Sequence, residues 1–277
     1  KSYIIKTQAN AGFINIAEAN IFEEKKIREL FKKADICINL VGILYEEKKG
    51  NTFLNIHTTF PSLLAKLCKE YNCEQFIHLS ALGINQAEDS EYAKSKLEGE
   101  IKIFKNFSKT TILRPSVVYS VDDKFTTKFM TLLNLLPIFP LYYGGNTKFT
   151  PIHCSDLTEI LFKVISKNIN STTIECVGPE VITFKNLLRR LLKIIEKKRL
   201  LIPLPLILAK LSASIFQLFP RPILTLDQLN LLKYDNIVSK KYKTNFDIGI
   251  PSTHVFDLEL EKYAFMWKET GQFSKKI

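Results

Sequence analysis

The feature that most constrains the fold is a regular alternation of short apolar segments with amphipathic ones along the first 120 residues. The spacing predicts strands at 12–21, 35–42, 74–80 and 110–120, and helices at 22–34, 52–71 and 90–104. Strands that alternate with helices in this way form a parallel sheet with helices on both faces. The sequence therefore predicts an α/β protein with a Rossmann-like, doubly wound parallel sheet.

The second half of the chain alternates less regularly. Helical spacing recurs over 124–136, in a helix that begins with Asp156 as its N-cap, and in another that begins near Thr183. We expect residues 1–160 to form the sheet domain and residues 161–277 to form a smaller, mainly helical C-terminal lobe. This lobe should pack beside the carboxyl ends of the strands, where α/β sheets bind their ligands.

The charge pattern bears on the choice of partner. Lysine and arginine outnumber aspartate and glutamate by 39 to 28, for a net charge of +11, but the excess is spread in pairs such as Lys25–Lys26 and Lys240–Lys241. No basic helix or ladder of aromatic and basic residues is present, so nucleic-acid binding is not expected. The spread favours a generally lysine-rich surface; the alternative is a surface for an acidic membrane or protein partner.

The cysteine and histidine residues give no metal-ligand pattern. The five cysteines form no C-x-x-C pair and mostly lie in apolar segments, as buried free thiols do, which fits a reducing compartment. The four histidines lack partners at ligand spacing. We therefore expect the histidines to be core or surface residues, and we expect no metal site.

One apolar segment raises the question of a membrane span. Residues 200–219 read LLIPLPLILAKLSASIFQLF, but Pro203 and Pro205 interrupt the start and Lys210 the middle. The remaining helix is too short for a bilayer core of about 30 Å. We expect residues 206–219 either to pack as a core helix or to dock on a partner or a membrane surface.

The segment SEYAKSKLEGE, residues 90–100, contains a candidate acid/base pair. Tyr92 and Lys96 are four residues apart, so on a helix they share one face and can reach one cleft. A phenol can exchange a proton during hydride transfer if a nearby cation lowers its pKa from about 10, and a lysine ammonium can also hold ribose hydroxyls. Tyr92 and Lys96 are therefore the candidate catalytic residues.

A set of short motifs resembles those of the extended short-chain dehydrogenase/reductase superfamily. The segments are VGILYE (41–46), HLSALG (78–83), YAKSKLEGE (92–100), ILRPSVVYSVDDKF (112–125), GGNTKFTPIHCSDL (144–157) and the C-terminal GIPSTHVFDLELEKY. Together they are similar to an atypical subgroup of that superfamily. This subgroup holds the nucleotide-binding accessory subunit of the alpha subcomplex of respiratory complex I and its bacterial relatives.

The resemblance implies a tightly held NADP(H) or NAD(H) with a largely structural role. The cofactor-binding residues that it implies are Asn20, Ile21, Val41, Gly42, Ser80, Tyr92, Lys96, Pro115 and Ser116. Asn20 and Ile21 would border the adenine. Val41 and Gly42 would allow close backbone approach to the cofactor. Without the resemblance, Asn20 and Gly42 are ordinary turn residues.

The resemblance also bears on the nicotinamide, the partners and the location. The backbone of residues 114–116 would run beside the nicotinamide. The Arg114 side chain is equally a candidate for a structural ion pair. The implied partners are a dinucleotide and a protein complex of the respiratory chain or of quinone biosynthesis, with peripheral membrane contact through 206–219. The implied location is the cytoplasm or the inner face of a respiratory membrane, which in a eukaryote is the mitochondrial matrix side.

The sequence departs from the superfamily pattern in two places. Extended dehydrogenases open with a G-x-x-G-x-x-G turn that takes the pyrophosphate at a helix N-terminus, whereas this chain has only Gly12 before Gly42. We therefore expect that the first β-α-β unit is lacking and that the sequence is an incomplete form. In addition, Ala81 stands where catalytic members have a serine or threonine that hydrogen-bonds the substrate oxygen.

These departures favour binding over turnover. Loss of an oxyanion donor costs about 2.7–4 kcal/mol of transition-state stabilisation in enzymes where it has been deleted. We expect an NAD(P)H-binding accessory or assembly protein of a complex I or quinone-biosynthesis type system, with little or no catalysis. The alternative is an NAD(P)-dependent oxidoreductase or epimerase in which Tyr92 is the acid/base and Lys96 lowers its pKa.

Overall fold

The structure is a computed structural model that describes residues 5, 7–10, 12–47, 50–219, 222–269 and 271. The helices are α1 (Glu24–Phe31), α2 (Phe60–Glu70), α3 (Glu91–Asn106), α4 (Thr126–Leu135), α5 (Cys154–Ser166), α6 (Phe184–Ile194), α7 (Leu206–Phe216), α8 (Leu226–Leu231) and α9 (Phe256–Glu261). The strands are β1 (Ile36–Asn39), β2 (Gln75–Leu79), β3 (Thr110–Pro115), β4 (Val118–Tyr119), β5 (Ile138–Leu141), β6 (Lys148–Phe149), β7 (Ile152–His153), β8 (Thr172–Cys176), β9 (Ile182–Thr183), β10 (Leu200–Pro203) and β11 (Lys243–Thr244). A π-helical turn (Leu54–Thr59) leads directly into α2.

The central sheet confirms the predicted α/β class. Its strand order is β1-β2-β3-β8-β11, and every neighbouring pair is parallel. The strands predicted at 35–42 and 74–80 are present with shorter bounds, and the one predicted at 110–120 is divided into β3 and β4. The second half of the chain contributes β8 and β11 to this sheet, and the division into two parts at residue 160 stays a prediction.

Apolar clusters cover both faces of the sheet. Phe76 and Ile112 pack against α2 and α3, whereas Ile77 and Leu113 belong to a cluster with α5. Neighbouring residues of one strand point to opposite faces, so the near-continuous apolar sequence of β2 and β3 reflects burial on both sides. The carboxyl ends of these strands remain the edge at which polar side chains gather.

The strand predicted at 12–21 is wrong. These residues, all of them described, pair with no other strand, and Phe13 is 80% exposed. Apolar alternation describes only one face of a strand, which also needs the backbone hydrogen bonds of a neighbour. Asn20 forms a local turn instead: its Oδ1 accepts the N–H of Phe22, and its own N–H donates to Glu23.

The helix that the sequence places at Asp156 begins earlier, at Cys154, with His153 as its N-cap. The Asp156 carboxylate is buried and accepts hydrogen bonds from the backbone of Thr253, from the backbone of His254 and from Nδ1 of His254. The N-cap assignment of Asp156 is therefore wrong. Its carboxylate ties α5 to the segment before α9 because that segment offers unpaired backbone donors.

Pro61 accounts for the irregular start of α2 within the helix predicted at 52–71. It lies in the first turn of α2, directly after the π-helical turn. Proline has no N–H to donate to the carbonyl of His57 four residues earlier, and its ring would clash with that carbonyl in a regular helix. A wider turn relieves the clash. The freed carbonyl faces α3, where a Cβ added to Gly99 would lie 1.9 Å from the His57 oxygen.

Candidate functional site

Tyr92 and Lys96 lie on one face of α3, as predicted. The helix begins where the Ser90 hydroxyl oxygen accepts the N–H of Ala93. Lys96 is 4% exposed, and its Nζ lies 5.5 Å from the centroid of the Tyr92 ring. Within the described ranges, neither the Tyr92 hydroxyl nor the Lys96 ammonium has a hydrogen-bond partner. Both groups are therefore available to a ligand.

Burial sets the protonation of the pair. Desolvation lowers the pKa of Lys96 from 10.5 to about 8, and the attraction of Glu100 opposes this shift only in part. Burial raises the pKa of Tyr92, and the negative charge of Asp227 raises it further. The free protein thus holds a neutral phenol beside an amine that is charged at neutral pH but titrates just above it.

The exit of β1 runs directly beside Lys96. Its backbone is held from two sides: the N–H of Val41 donates to Oδ1 of Asn39 (3.0 Å), and the N–H of Ile43 donates to Nε2 of His57 (3.1 Å). A Cβ added to Gly42 would lie 3.7 Å from Nζ of Lys96 and 3.8 Å from Nε2 of His57. The structure therefore brings the predicted residues Val41 and Gly42 together with Lys96.

His57 forms one wall of the site. Its ring stacks on Phe53 at 5.4 Å and meets the Tyr92 ring edge-on at 5.2 Å, both measured between centroids. Burial and the charge of Lys96 lower the pKa of His57 to about 3, so its imidazole is neutral. The sequence pattern suggested only a core or surface role for this histidine, because its partners come from distant segments.

Two buried polar atoms at the end of β2 lack partners in the described part of the chain. The Nδ1 atom of His78 lies 3.0 Å from Nδ2 of Asn39, which can only donate, so Nε2 of His78 carries the proton and has no acceptor. Ser80 is 6% exposed, and its Oγ is equally unpaired. Buried polar groups are normally satisfied, so these orphaned atoms fit a ligand rich in oxygen acceptors, such as a dinucleotide.

The end of β3 is hydrogen-bonded to segments from later in the chain. The Ser116 hydroxyl donates to Oδ1 of Asn236 (2.5 Å) and accepts the N–H of Thr150, while the carbonyl of Pro115 accepts the N–H of Leu82. The Ser116 side chain is thus fully engaged within the protein. A cofactor role of Pro115 and Ser116 through the backbone stays a prediction.

Asn20 and Ile21 are not joined to this cluster by any hydrogen bond between described residues. The Asn20 side chain is exposed and Ile21 is half-buried. Their predicted place beside an adenine stays a prediction.

Arg114 forms a structural ion pair, which confirms that alternative. Its Nε and Nη2 donate to the two carboxylate oxygens of Glu100 at 3.0 and 2.5 Å, and both side chains are at most 5% exposed. The guanidinium also lies 4.5 Å from the centroid of the Tyr242 ring. This paired geometry satisfies both buried charges and fixes α3 against β3.

Asp227 is a site residue that sequence reasoning missed. Its carboxylate accepts hydrogen bonds from the Ser90 hydroxyl, from the N–H of Glu91 (2.7 Å) and from the N–H of Tyr92 (3.2 Å). A carboxylate at a helix N-terminus satisfies orphan donors and complements the helix dipole. The local signal was a capping box between Thr225 and Gln228. The capping box indicates where α8 starts, but it does not indicate that Asp227 binds the N-terminus of α3.

Comparison with known proteins adds relatives to this geometry. No family model matches the chain. The mitochondrial NADH-ubiquinone oxidoreductase 40 kDa subunit of Neurospora crassa is 25% identical over 248 residues, which cover 89% of this chain and 65% of that subunit. The mitochondrial NADH dehydrogenase (ubiquinone) 1 alpha subcomplex subunit 9 of Dictyostelium discoideum is 25% identical over 278 residues, which cover 99% of this chain and 76% of that subunit.

Solved structures share the fold. The UDP-glucuronic acid 4-epimerase of Bacillus cereus, in complex with UDP-glucuronic acid and NAD, has a TM-score of 0.68 at 21% identity, over 96% of this chain and 85% of that one. The dTDP-4-dehydrorhamnose reductase of Bacillus anthracis, in complex with NADP, has a TM-score of 0.62 at 14% identity, over 94% and 92%. The chain thus shares the fold of these solved enzymes, and it resembles the 40 kDa and alpha subcomplex subunit 9 proteins over most of its length.

Proposed function

We propose that this chain binds NADP(H) or NAD(H) as an accessory or assembly protein of a complex I or quinone-biosynthesis type system, with little or no catalysis. The observation that carries the proposal is a set of unpartnered polar groups at the strand ends. The Lys96 ammonium, the Tyr92 hydroxyl and the Ser80 hydroxyl all lack partners among the described residues. A dinucleotide offers oxygen acceptors for each of them.

Each residue has a definite part in such binding. Lys96 would donate to ribose hydroxyls, and the backbone at Val41 and Gly42 would lie along the ligand because no side chain intervenes at Gly42. Tyr92 would donate its phenolic proton to an oxygen of the ligand. A bound nicotinamide would supply hydride chemistry. The proton side of that chemistry would fall to Tyr92.

The alternative proposal is an oxidoreductase or epimerase that uses Tyr92 as its acid/base. The geometry of the Tyr92–Lys96 pair supports it. Two observations weigh against it: the pKa of Tyr92 is raised, and Ala81, which packs against the same apolar cluster as Tyr92, offers no side-chain donor. A bound oxidised nicotinamide would have to lower the pKa of the phenol before it could act near neutral pH.

The test is a fluorescence titration with NADPH and NADH. We expect saturable binding that Lys96→Met weakens tenfold or more, because the buried ammonium has no partner among the described residues and would donate to the ligand. Lys94→Met is the matched control, since Lys94 lies on the same helix but is exposed and paired with Glu91. Absence of binding would refute the proposal. Turnover that Tyr92→Phe abolishes would favour the enzymatic alternative.

The names of the relatives support a partner. The Neurospora and Dictyostelium proteins are mitochondrial subunits of NADH dehydrogenase complexes. We propose by analogy that this chain joins a respiratory complex at the inner face of its membrane, on the matrix side in a eukaryote. Co-purification of the tagged chain with NADH dehydrogenase activity would support this, and its recovery only as free chain would refute it.

Helix α7 supports a peripheral membrane contact. It buries only its small residues Ala209 and Ala213 fully, at 1% and 0% exposure. Phe216 is half-buried, but five large apolar side chains face outward, with exposures between 46% and 81%: Leu206, Ile207, Leu208, Leu211 and Ile215. An ordinary amphipathic helix has the opposite arrangement. No helix in the described part of the chain has the length and apolarity needed to cross a bilayer.

The sequence around α7 is basic, which indicates the kind of membrane surface that this helix would meet. From residue 197 to residue 226 the sequence has five basic residues and no acidic one. An apolar helix face with a basic surround fits the interface of an anionic bilayer. We therefore propose that residues 206–219 lie in the headgroup region of such a membrane.

A vesicle assay tests this contact. The chain should sediment with vesicles that contain anionic lipid and much less with purely zwitterionic ones. The double variant Ile207→Ser/Leu211→Ser should lose sedimentation, whereas Phe162→Ser, at another exposed apolar residue on α5, should retain it. Equal sedimentation of both variants, or none by the wild type, would refute the membrane contact.

A further inference from the structure

His57 joins α3 to the exit of β1 through its two ring nitrogens. Its residue is 1% exposed. The Nε2 atom accepts the backbone N–H of Ile43 at 3.1 Å, so Nε2 carries no proton. The proton of the neutral ring is therefore on Nδ1, which lies 3.0 Å from the Ser95 hydroxyl oxygen. The Ser95 hydroxyl in turn donates to the carbonyl of Tyr92.

The backbone around His57 is built to hold this position. The π-helical turn that precedes Pro61 brings the His57 carbonyl against α3 at Gly99, where the lack of a side chain leaves room for it. The neighbouring Thr58 hydroxyl donates to the carbonyl of Ser95 at 2.8 Å. Backbone and side chain thus fix the imidazole ring on α3 from both ends.

The result is a clamp that holds the two backbone amides on either side of Gly42. Oδ1 of Asn39 accepts a hydrogen bond from the N–H of Val41, and Nε2 of His57 accepts one from the N–H of Ile43. The N–H of Gly42 between them has no partner among the described residues, and Gly42 is exposed beside Lys96. The hydrogen bonds of both neighbouring amides restrain the orientation of the Gly42 amide.

We propose that His57 is a positioning residue that, together with Asn39, presents the Gly42 amide and the Lys96 ammonium as a pair of donors for one oxygen-bearing group of the ligand. This inference rests on the proposed dinucleotide binding and adds a residue to it. The His57 ring is neutral and stays neutral throughout the physiological pH range. The clamp is therefore a fixed part of the site and not a pH switch.

Two isosteric variants separate the halves of the clamp. The amide oxygen of His57→Gln can occupy the position of Nε2 and still accept from Ile43. His57→Asn can reproduce only the position of Nδ1, so it keeps the contact with Ser95 and releases Ile43. Hydrogen exchange of the Ile43 amide and the dissociation constant for NADPH are the two readouts, with thermal melting as the control for folding.

We expect His57→Gln to match the wild type within about threefold in both readouts. His57→Asn should exchange the Ile43 amide at least tenfold faster and bind NADPH about tenfold more weakly, at a melting temperature close to that of His57→Gln. A tenfold loss corresponds to about 1.4 kcal/mol, the size expected for one hydrogen bond. Asn39→Ala, which releases the Val41 amide from the other side, should weaken the binding of NADPH to a similar extent.

The outcomes separate this inference from the function on which it rests. Equal Ile43 exchange in the two His57 variants would overturn the clamp, and faster exchange without weaker binding would overturn its positioning role. If the wild type binds no dinucleotide, the proposed function fails and the positioning role fails with it. The Ile43 exchange rates would still show whether the clamp itself exists.

Discussion

At the scale of single residues, the buried charge of Lys96 lowers the stability of the free protein but is available for binding a ligand. A pKa lowered from 10.5 to about 8 corresponds to about 3 kcal/mol of cost for the charged form in the free protein. The charge is kept although it opposes folding. Such a cost is typical of groups retained for a ligand and not for the fold.

Lys96→Met should therefore raise the free energy of unfolding at pH 7 while it weakens dinucleotide binding. The unfolded chain binds more protons than the folded one between pH 8 and 10.5, so the wild type gains stability across that window and the difference between the two proteins shrinks. Urea unfolding at pH 7 and pH 10 measures this. A wild type more stable than the variant at pH 7 would contradict it.

Binding of the dinucleotide should have the opposite pH dependence. Because the ammonium is the form that donates to the ligand, affinity for NADPH should fall as the pH rises above about 8. Lys96→Arg supplies the control, since a guanidinium stays charged over this range. Titrations between pH 6.5 and 9.5 provide the measurement. A flat profile for the wild type would show that Lys96 does not contact the ligand through its charge.

At the scale of elements, the contact between α3 and the π-helical turn depends on Gly99. Alanine is normally better than glycine inside a helix by about 1 kcal/mol, but a Cβ here would meet the carbonyl oxygen of His57. Gly99→Ala should therefore lower the free energy of unfolding by about 1–3 kcal/mol, as overpacking does. Denaturant unfolding tests the sign; a stabilised variant would mean that the two elements can separate freely.

The sequence predicted elements better than it predicted their contacts. Tyr92 and Lys96 were found because their relation is local, four residues along one helix. Asn39, His57 and Asp227 were missed because their partners lie between 2 and 137 residues away and include backbone groups, which no side-chain pattern reveals. The false strand at 12–21 has the same origin, because alternation does not disclose whether a neighbouring strand exists.

At the scale of the whole molecule, α8 from the C-terminal half of the chain holds the helix that carries the site. Asp227 caps the N-terminus of α3, Gln228 donates to the carbonyl of Leu44 after β1, and Asn230 donates to the carbonyl of Asp89. One short helix thus contacts both sides of the entrance to the Tyr92–Lys96 cluster. Helix α8 is therefore part of the site although it lies far from α3 in the sequence.

Asp227→Asn should loosen this attachment. Loss of a charged N-cap partner costs about 1 kcal/mol, so the variant should unfold at lower denaturant concentration and exchange the amides of residues 91 and 92 faster. Asp257→Asn, at an acidic residue in another part of the C-terminal half, serves as the control. Unchanged exchange at residues 91 and 92 would show that α3 does not depend on Asp227 for its first turn.

The inverted packing of α7 has a consequence for how this protein can change over time. Its buried face consists of Ala209, Ala213 and the half-buried Phe216, and its outward face consists of large side chains that the fold does not use. Selection for folding and selection for recognition therefore act on different residues of one helix. The large residues are free to follow changes in whatever surface they meet, whereas replacing either alanine with anything larger would displace the helix itself.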